Sequence, residues 1–337
     1  MWKRGITRLG GIELRSLTDM NCRQTWKPVA LTLLEDLHAS YSESDEPLLE
    51  LLYSRTSGGQ GVHKMTRRGR MIKIDTLLSD AIESRFPGIN PLIVQDFACS
   101  NGITSLDMYR LLSERRDVVV YATDYFDAIW IVRLPESGWA VVFNADSRPM
   151  QFVGKQFVIS ASHREPYKYP VNGVLRSWLM RCVLPRATQE LENYRYLSGE
   201  DPRANSVVSR VRLFHPLCLE AQKVVQNFRL GQHDLFKASP TRSQVVRVMN
   251  ALTPHHFSAS RIKLGIRACL ACLEPGGLFI LGRSAEESHG EPRATAYEWD
   301  GEHLMPLWEV NGGYEWPELA CSIGAVHAGA CNDGPTH

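Results

Sequence analysis

Asp96 closes a short apolar run, Leu92-Ile93-Val94, and is followed by Phe97-Ala98-Cys99-Ser100-Asn101-Gly102. Leu106, Tyr109, Leu111 and Leu112 then recur at helical spacing. This succession delivers a carboxylate to the end of a strand and places small residues in the turn onto a helix N-terminus. In doubly wound sheets ligands bind at that edge, and small side chains let the backbone approach them closely. A second run, Val118-Val119-Val120-Tyr121-Ala122, ends in Thr123-Asp124, where a carboxylate can accept hydrogen bonds from a ribose. Each aspartate can equally be an ordinary turn or cap carboxylate.

Other residue types have chemistry of their own. Asn250 follows the run Val245–Met249 and either orients a substrate group or caps the strand end. His255 and His256 come next, a general base or an exposed pair at a helix start after Pro254. Cys99 stands near a helix N-terminus, which lowers a thiol pKa, although room for a ligand is the simpler use of a small residue there. Cys269-Leu270-Ala271-Cys272 has zinc-like spacing but lies inside an apolar helical stripe with no second pair, so core packing is expected and no metal. From Arg55 to Lys73 there are six basic residues and no acid until Asp75. Lys64, Arg67, Arg68, Arg70 and Lys73 could hold a phosphate, an acidic substrate or RNA, while the commoner uses of such a run are a solvated face or a mobile flap, here a lid on the substrate.

The elements that must position these residues read as follows. Residues 1–54 are loosely helical, with Leu31, Leu33, Leu34 and Leu37, then Leu48, Leu49, Leu51 and Leu52. Asp75 caps a helix carrying Leu77, Leu78, Ala81 and Ile82. Strand, small-residue turn, helix and strand over 91–124 make a βαβ unit, and continuous β-branched runs suit strands buried on both faces. Residues 126–213 interrupt this rhythm, with antiparallel strands at Ala128–Arg133, Trp139–Phe143 and Gln151–Ile159. A helix follows with Val171, Val174, Leu175, Trp178, Leu179, Cys182 and Val183 on one stripe. The α/β rhythm resumes with strands at Val224–Phe228, Val245–Met249 and Leu278–Leu281, a helix at Ser260–Leu273, and a closing antiparallel pair at Tyr297–Trp299 and Leu307–Val310.

The fold expected is therefore α/β. It is a Rossmann-like doubly wound sheet, mostly parallel with a closing antiparallel pair, plus an N-terminal helical cap and a β-rich insertion. The divisions are 1–74 for cap and basic flap, 75–125 for the first half of the cofactor-binding domain, and 126–213 for the insertion. The second half is 214–323 and the tail is 324–337.

Motifs in this order resemble the class I S-adenosylmethionine-dependent methyltransferases. Asp96 to Gly102 resembles the family's first motif, nearest in flavour to the Gly-Cys-Ser-x-Gly form of the chemotaxis receptor branch. Val120–Asp124 resembles the second and Asp234-Leu235 the third. Val248–Leu252 resembles the strand-four segment, and Leu273-Glu274-Pro275-Gly276-Gly277 with Leu278–Gly282 the turn into strand five. The resemblance implies that Asp96, Ala98, Cys99, Ser100 and Gly102 line the cofactor, S-adenosyl-L-methionine. Asp124 with Tyr125 would hold its ribose, and Asp234 with Leu235 its adenine. It further implies in-line methyl transfer, aided by positioning and exclusion of water, with Asn250, His255 and His256 as catalytic candidates. The sequence departs from the pattern at Ala98 and Ser100, where glycines are common, and at Ser243-Gln244, where an acid is frequent.

Composition bounds the partners. With 337 residues, 44% of them hydrophobic, the chain can bury a large core. Its 38 basic and 37 acidic residues provide no global field for nucleic acid, so any such binding would need a local patch. Within the methyltransferase resemblance a small-molecule or lipid-like acceptor is expected. The stretch 171–186, with Arg176, Arg181 and Arg186 on its polar side, could touch a membrane surface, though packing on its own domain is the commoner use. No run reaches the roughly 20 apolar residues that span a bilayer. The charged start lacks an apolar segment after it, and eight cysteines scattered over a long chain suit reduced thiols in the cytoplasm. Two rival functions stay open: a binding or regulatory protein on the same fold, and a nicotinamide-dependent oxidoreductase. The second is disfavoured because no G-x-G-x-x-G is present.

Overall fold

The computed structural model describes residues 6–8, 30–56, 66–155, 157–161, 170–197, 207–284 and 291–323. Lys64 and the tail after Ile323 lie outside the described residues. Residue contacts divide the chain into two units, one of Met1–Thr66 with Phe126–Pro216 and one of Arg67–Tyr125 with Leu217–His337.

The second unit carries a seven-stranded sheet. Its strands are β2 (Leu92–Phe97), β3 (Val118–Asp124), β9 (Phe228–Gln232), β10 (Ser243–Met249), β11 (Leu273–Ser284), β12 (Pro292–Trp299) and β13 (Leu304–Val310). They lie in the order β13-β12-β11-β10-β2-β3-β9. The five strands from β11 to β9 are parallel, while β12 and β13 close the sheet antiparallel. In chain order the parallel strands read 3-2-1-4-5, so the order reverses between β2 and β10, where doubly wound sheets open a crevice.

Helices α3 (Ile72–Arg85), α4 (Ile103–Ser113), α7 (Pro216–Val224), α8 (Ala259–Leu270) and α9 (Pro317–Cys321) belong to this unit. Helix α8 buries Ile262, Ile266, Cys269 and Leu270 in one cluster with Val246, Val248, Phe279 and Leu281 of the sheet. Burial pushes the Cys272 thiol up to about 11, and its Sγ donates to the Cys269 carbonyl at 3.0 Å, as expected of core thiols. The strand expected at Val224–Phe228 begins only at Phe228, because a helix opened by Pro216 and built of good helix formers runs through Val224.

The first unit holds β1 (Ile6–Arg8), β4 (Ala128–Leu134), β5 (Trp139–Phe143), β6 (Pro149–Gly154), β7 (Phe157–Ser160) and β8 (Val208–Arg212). These form one sheet, β1-β7-β6-β5-β4-β8, with every neighbouring pair antiparallel. The stretch expected as one strand over Gln151–Ile159 is two, β6 and β7, and Ile6–Arg8 is a strand within a region expected to be helical. Both faces are apolar because side chains alternate along each strand. Val132, Val141, Phe143, Phe152 and Ile159 cluster with Leu179, Val183, Ala187 and Leu191 of α5 (Pro170–Cys182), α6 (Leu184–Leu197) and their junction. Ile129, Ile131, Val142 and Val211 cluster with Leu34, Leu37, Leu49 and Leu52 of α1 (Leu33–Ala39) and α2 (Glu46–Arg55).

Two polar clusters pin the helices of that second face. His38 Nε2 lies 3.2 Å from the Tyr53 hydroxyl, which donates to the Phe214 carbonyl at 2.7 Å. Tyr41 donates to Glu46 at 2.5 Å, and the buried His215 ring lies 3.0 Å from the same carboxylate. Burial, with His215 nearby, drives the His38 pKa down to about 4.

Candidate functional site

The loop between β2 and α4 has an alternating backbone. Ala98, Ser100 and Gly102 all take positive φ, at 53°, 64° and 79°. Left-handed conformations cost an L-residue about 1–2 kcal/mol, so two non-glycine residues hold there only because their surroundings fix them. Those surroundings are on β3 and α4. The Cys99 N–H donates to the Thr123 carbonyl at 3.0 Å, and the Ser100 N–H donates to Asp124 Oδ2 at 2.8 Å. The Asn101 side chain accepts from the Ile103 N–H at 3.1 Å, and the Gly102 carbonyl accepts from Leu106 at 3.0 Å. Asp124 thus ties the loop to the neighbouring strand, and a carboxylate has enough acceptor positions to bind a diol as well.

Asp96 does other work. It faces Arg247 in register across β2 and β10, and Arg247 donates to it from Nε at 3.0 Å and Nη2 at 2.6 Å. The Ser105 hydroxyl donates to the same carboxylate at 2.5 Å, and Asp75 accepts from Arg247 Nη1 at 2.5 Å. All three charged side chains are buried. Both Asp96 oxygens are thereby engaged inside the fold, so its influence on the loop runs through strand and helix placement. Two carboxylates against one guanidinium leave an excess negative charge in the interior. Burial above all, with Asp96 and Asp107 adding repulsion, pushes the Asp75 pKa up to about 7 despite the contact with Arg247. Burial alone would lower the arginine, but its two carboxylates outweigh that and hold it above its ordinary value.

The remaining residues gather along the same strand ends. Tyr125 is exposed, and its carbonyl accepts from Gln232 at 3.0 Å. Asp234 Oδ1 accepts from the Phe236 N–H at 3.1 Å, a turn that leads Leu235 into the core beside Ala98 and Phe236. His233 stacks on Phe97 with ring centroids 4.7 Å apart, and burial lowers its pKa, so the ring is neutral at neutral pH. Asn250 has φ 62° and its Oδ1 accepts from the Ser284 N–H at 2.6 Å, bracing the ends of β10 and β11. His255 and His256 follow on an exposed loop, and burial, then His255, lowers the His256 pKa.

Among the described residues, four buried polar atoms near these strand ends have no hydrogen-bond partner: Thr123 Oγ1, His233 Nε2, Thr253 Oγ1 and Ser284 Oγ. Buried polar atoms are normally satisfied, and their collection along one sheet edge suits a polar ligand. Together with the left-handed loop and Asp124, these polar atoms suit a hydroxyl-bearing ligand such as a nucleoside. Arg247, Asp75, Ser105 and His233 are not singled out by the motifs. A charged residue inside the apolar run Val245–Met249 is the signal for the first of them, since an arginine in a doubly covered strand requires buried acids.

The basic run has a partly structural role, since the Gly69 N–H donates to Asp107 at 2.8 Å and Met71 is buried. Among the described residues no group of His, Cys, Asp or Glu is arranged to hold a metal.

No family model and no curated protein sequence matches the chain. Among solved structures it is similar to DesVI of Streptomyces venezuelae, at 11% identity and TM-score 0.29, over 70% of this chain and 68% of that one. It is also similar to the S-adenosylmethionine-bound amino pentose methyltransferase CalS10 of Micromonospora echinaspora, at 10% identity and TM-score 0.27, over 69% and 65%. The [4+2]-cyclase SpnF matches at 12% identity and TM-score 0.29, over 77% of this chain and 63% of that one. At such identities and TM-scores the function rests on the geometry of the site itself.

Proposed function

We propose that the protein transfers a methyl group from S-adenosyl-L-methionine to a small-molecule or lipid-like acceptor. The observation that carries this reading is the left-handed Ala98-Ser100-Gly102 backbone, latched to Asp124 beside the point where the strand order reverses. A bound donor supplies a sulfonium methyl group open to in-line attack. The chain's own residues bind, orient and keep water away. The backbone of residues 98–102 approaches the ligand because its side chains are small. Asp124, with Tyr125 next to it, accepts from the ribose hydroxyls. Asp234 and Leu235 flank the base, and neutral His233 presents an acceptor nitrogen there. Asn250 keeps the β10 end in place, and His255 or His256 removes a proton where the acceptor carries one.

The acceptor in this reading reaches the same sheet edge, and a soluble cytoplasmic setting is part of the proposal. The chemotaxis receptor branch is not, since its resemblance rests on the loop alone. A second reading, a binding protein without turnover, is favoured by one observation: Asn250 Oδ1 is engaged with Ser284, and both histidines are exposed. Incubation with methyl-labelled donor and either metabolite or lipid extracts separates the two. Methyl transfer places label in an extractable product, in an amount that exceeds the enzyme. Cofactor binding with no labelled product would establish the second reading instead.

A further inference from the structure

We propose that the methyl acceptor is a small amine and that Glu315, set in place by Arg283, is the side chain that receives it. This rests on the methyl-transfer reading and adds the acceptor's chemical class to it. Arg283 and Ser284 end β11, three strands or roughly 14 Å from Asp124 on β3. A ribose at Asp124 and a base beside His233 leave this side of the crevice for the acceptor. The local chain explains how a carboxylate comes to lie there. After β13, Gly312 and Gly313 take φ of 83° and 70°. A Cβ at Gly313 would meet Thr295 Oγ1 at 2.6 Å, so the turn requires glycine. Tyr314 then donates its N–H to Thr295 Oγ1 at 2.8 Å and its hydroxyl to the Leu252 carbonyl at 2.7 Å. Glu315 is thereby carried to the loop after β10, where Thr253 follows Leu252. Arg283 Nε lies 2.9 Å from Glu315 Oε2, and the two side chains are only 20% and 16% exposed.

Among the described residues, the buried atoms Arg283 Nε, Glu315 Oε1, Ser284 Oγ and Thr253 Oγ1 have no hydrogen-bond partner. The guanidinium thus approaches one carboxylate oxygen without a directed hydrogen bond, and the other oxygen has no donor. An ion pair that only braced β11 against the segment after β13 would saturate both. A free carboxylate oxygen accepts from an N–H or an O–H of a ligand, and charge decides between them. An amine nitrogen gains positive charge as its lone pair bonds to the methyl carbon, while the carbon–sulfur pair stays on sulfur. A carboxylate beside the nitrogen stabilises that charge. The methylated ammonium then gives one proton to Glu315 Oε1, which passes it to water or to the exposed His255 or His256. An alcohol would have to lose its proton as attack begins, and a carboxylate is too weak a base for that. Arg283 is a positioning residue in this account, since it acts through Glu315.

The test gives the full chain methyl-labelled S-adenosylmethionine and a metabolite extract, either untreated or first acetylated with an N-hydroxysuccinimide ester that blocks amines. Label should enter a product from the untreated extract and none above background from the blocked one. Glu315→Gln should lower labelling at least about a hundredfold, and Glu315→Asp by less. Arg283→Ala should lower it as well, and Arg283→Lys should restore part of the loss. The affinity for S-adenosylhomocysteine, read by calorimetry, should be unchanged in all four variants, which also establishes that they fold. The proposal is overturned by equal labelling of the two extracts or by a Glu315→Gln variant that labels like the parent. It is also overturned if Glu315→Gln loses S-adenosylhomocysteine binding, which would make the pair a brace of the fold. No label from either extract contradicts methyl transfer itself and this proposal with it, whereas label from both contradicts only the amine.

Discussion

Asp75 is the side chain whose titration should be easiest to see. Its folded pKa of about 7 lies above the ordinary carboxylate value, so the folded state holds a proton that the unfolded state has lost. Its contribution is fully present below about pH 4 and disappears as the pH rises through 7. Asp75→Asn keeps an oxygen for Arg247 but cannot ionise. The melting temperature of this variant should therefore lose the part of the decline between about pH 4 and 7 that the parent shows. At Ala98 the backbone conformation is the issue. Ala98→Gly should leave stability unchanged or raise it by up to about 1 kcal/mol, whereas Ala98→Val, β-branched at positive φ, should lower it by several kcal/mol. Urea titrations at constant pH measure both.

At the level of elements, Arg247 ties β10 to β2 through Asp96 and to α3 through Asp75. Arg247→Met should destabilise by about 3–5 kcal/mol, since it strands two buried carboxylates. Adding Asp75→Asn and Asp96→Asn should recover most of that loss, and a recovery below half would mean that packing rather than charge dominates. This triad also marks where reading from sequence stops. The runs Leu92–Val94, Val118–Ala122 and Val245–Met249 were legible as strands because a strand covered on both faces is apolar throughout. The role of Asp96 was not, because the motif points it at a ligand while its charged partner Arg247 lies 151 residues after it in the chain. Likewise Val224–Val225 looks like a strand locally, and only the helix begun at Pro216 decides otherwise.

Over the whole molecule, one buried histidine of the first unit and one buried aspartate of the second respond to acid in opposite senses. His38 of the first unit is held neutral, with a folded pKa of about 4 against an ordinary 6.5. Its contribution is present above pH 6.5 and lost as the pH falls through 4, the range in which Asp75 of the second unit gains. His38→Gln should therefore flatten the acid-side fall in melting temperature, and Asp75→Asn should steepen it. The pairing of residues 1–66 with 126–216 in one unit was beyond the sequence, since it depends on contacts between distant segments such as β1 with β7. The alternation of strands and helices in the second unit, by contrast, was legible as a βαβ rhythm. The cofactor-side loop was legible in its small residues, while His233, Thr253 and Ser284 emerged only when the strand ends were brought together.

The most direct test is a calorimetric titration of S-adenosylhomocysteine into the purified protein, with Asp124→Ala alongside. The site described here predicts micromolar binding that Asp124→Ala weakens at least about tenfold, while His256→Ala leaves it unchanged. No binding to a protein that melts cooperatively, or binding indifferent to Asp124→Ala, would contradict the assignment of this sheet edge to the cofactor.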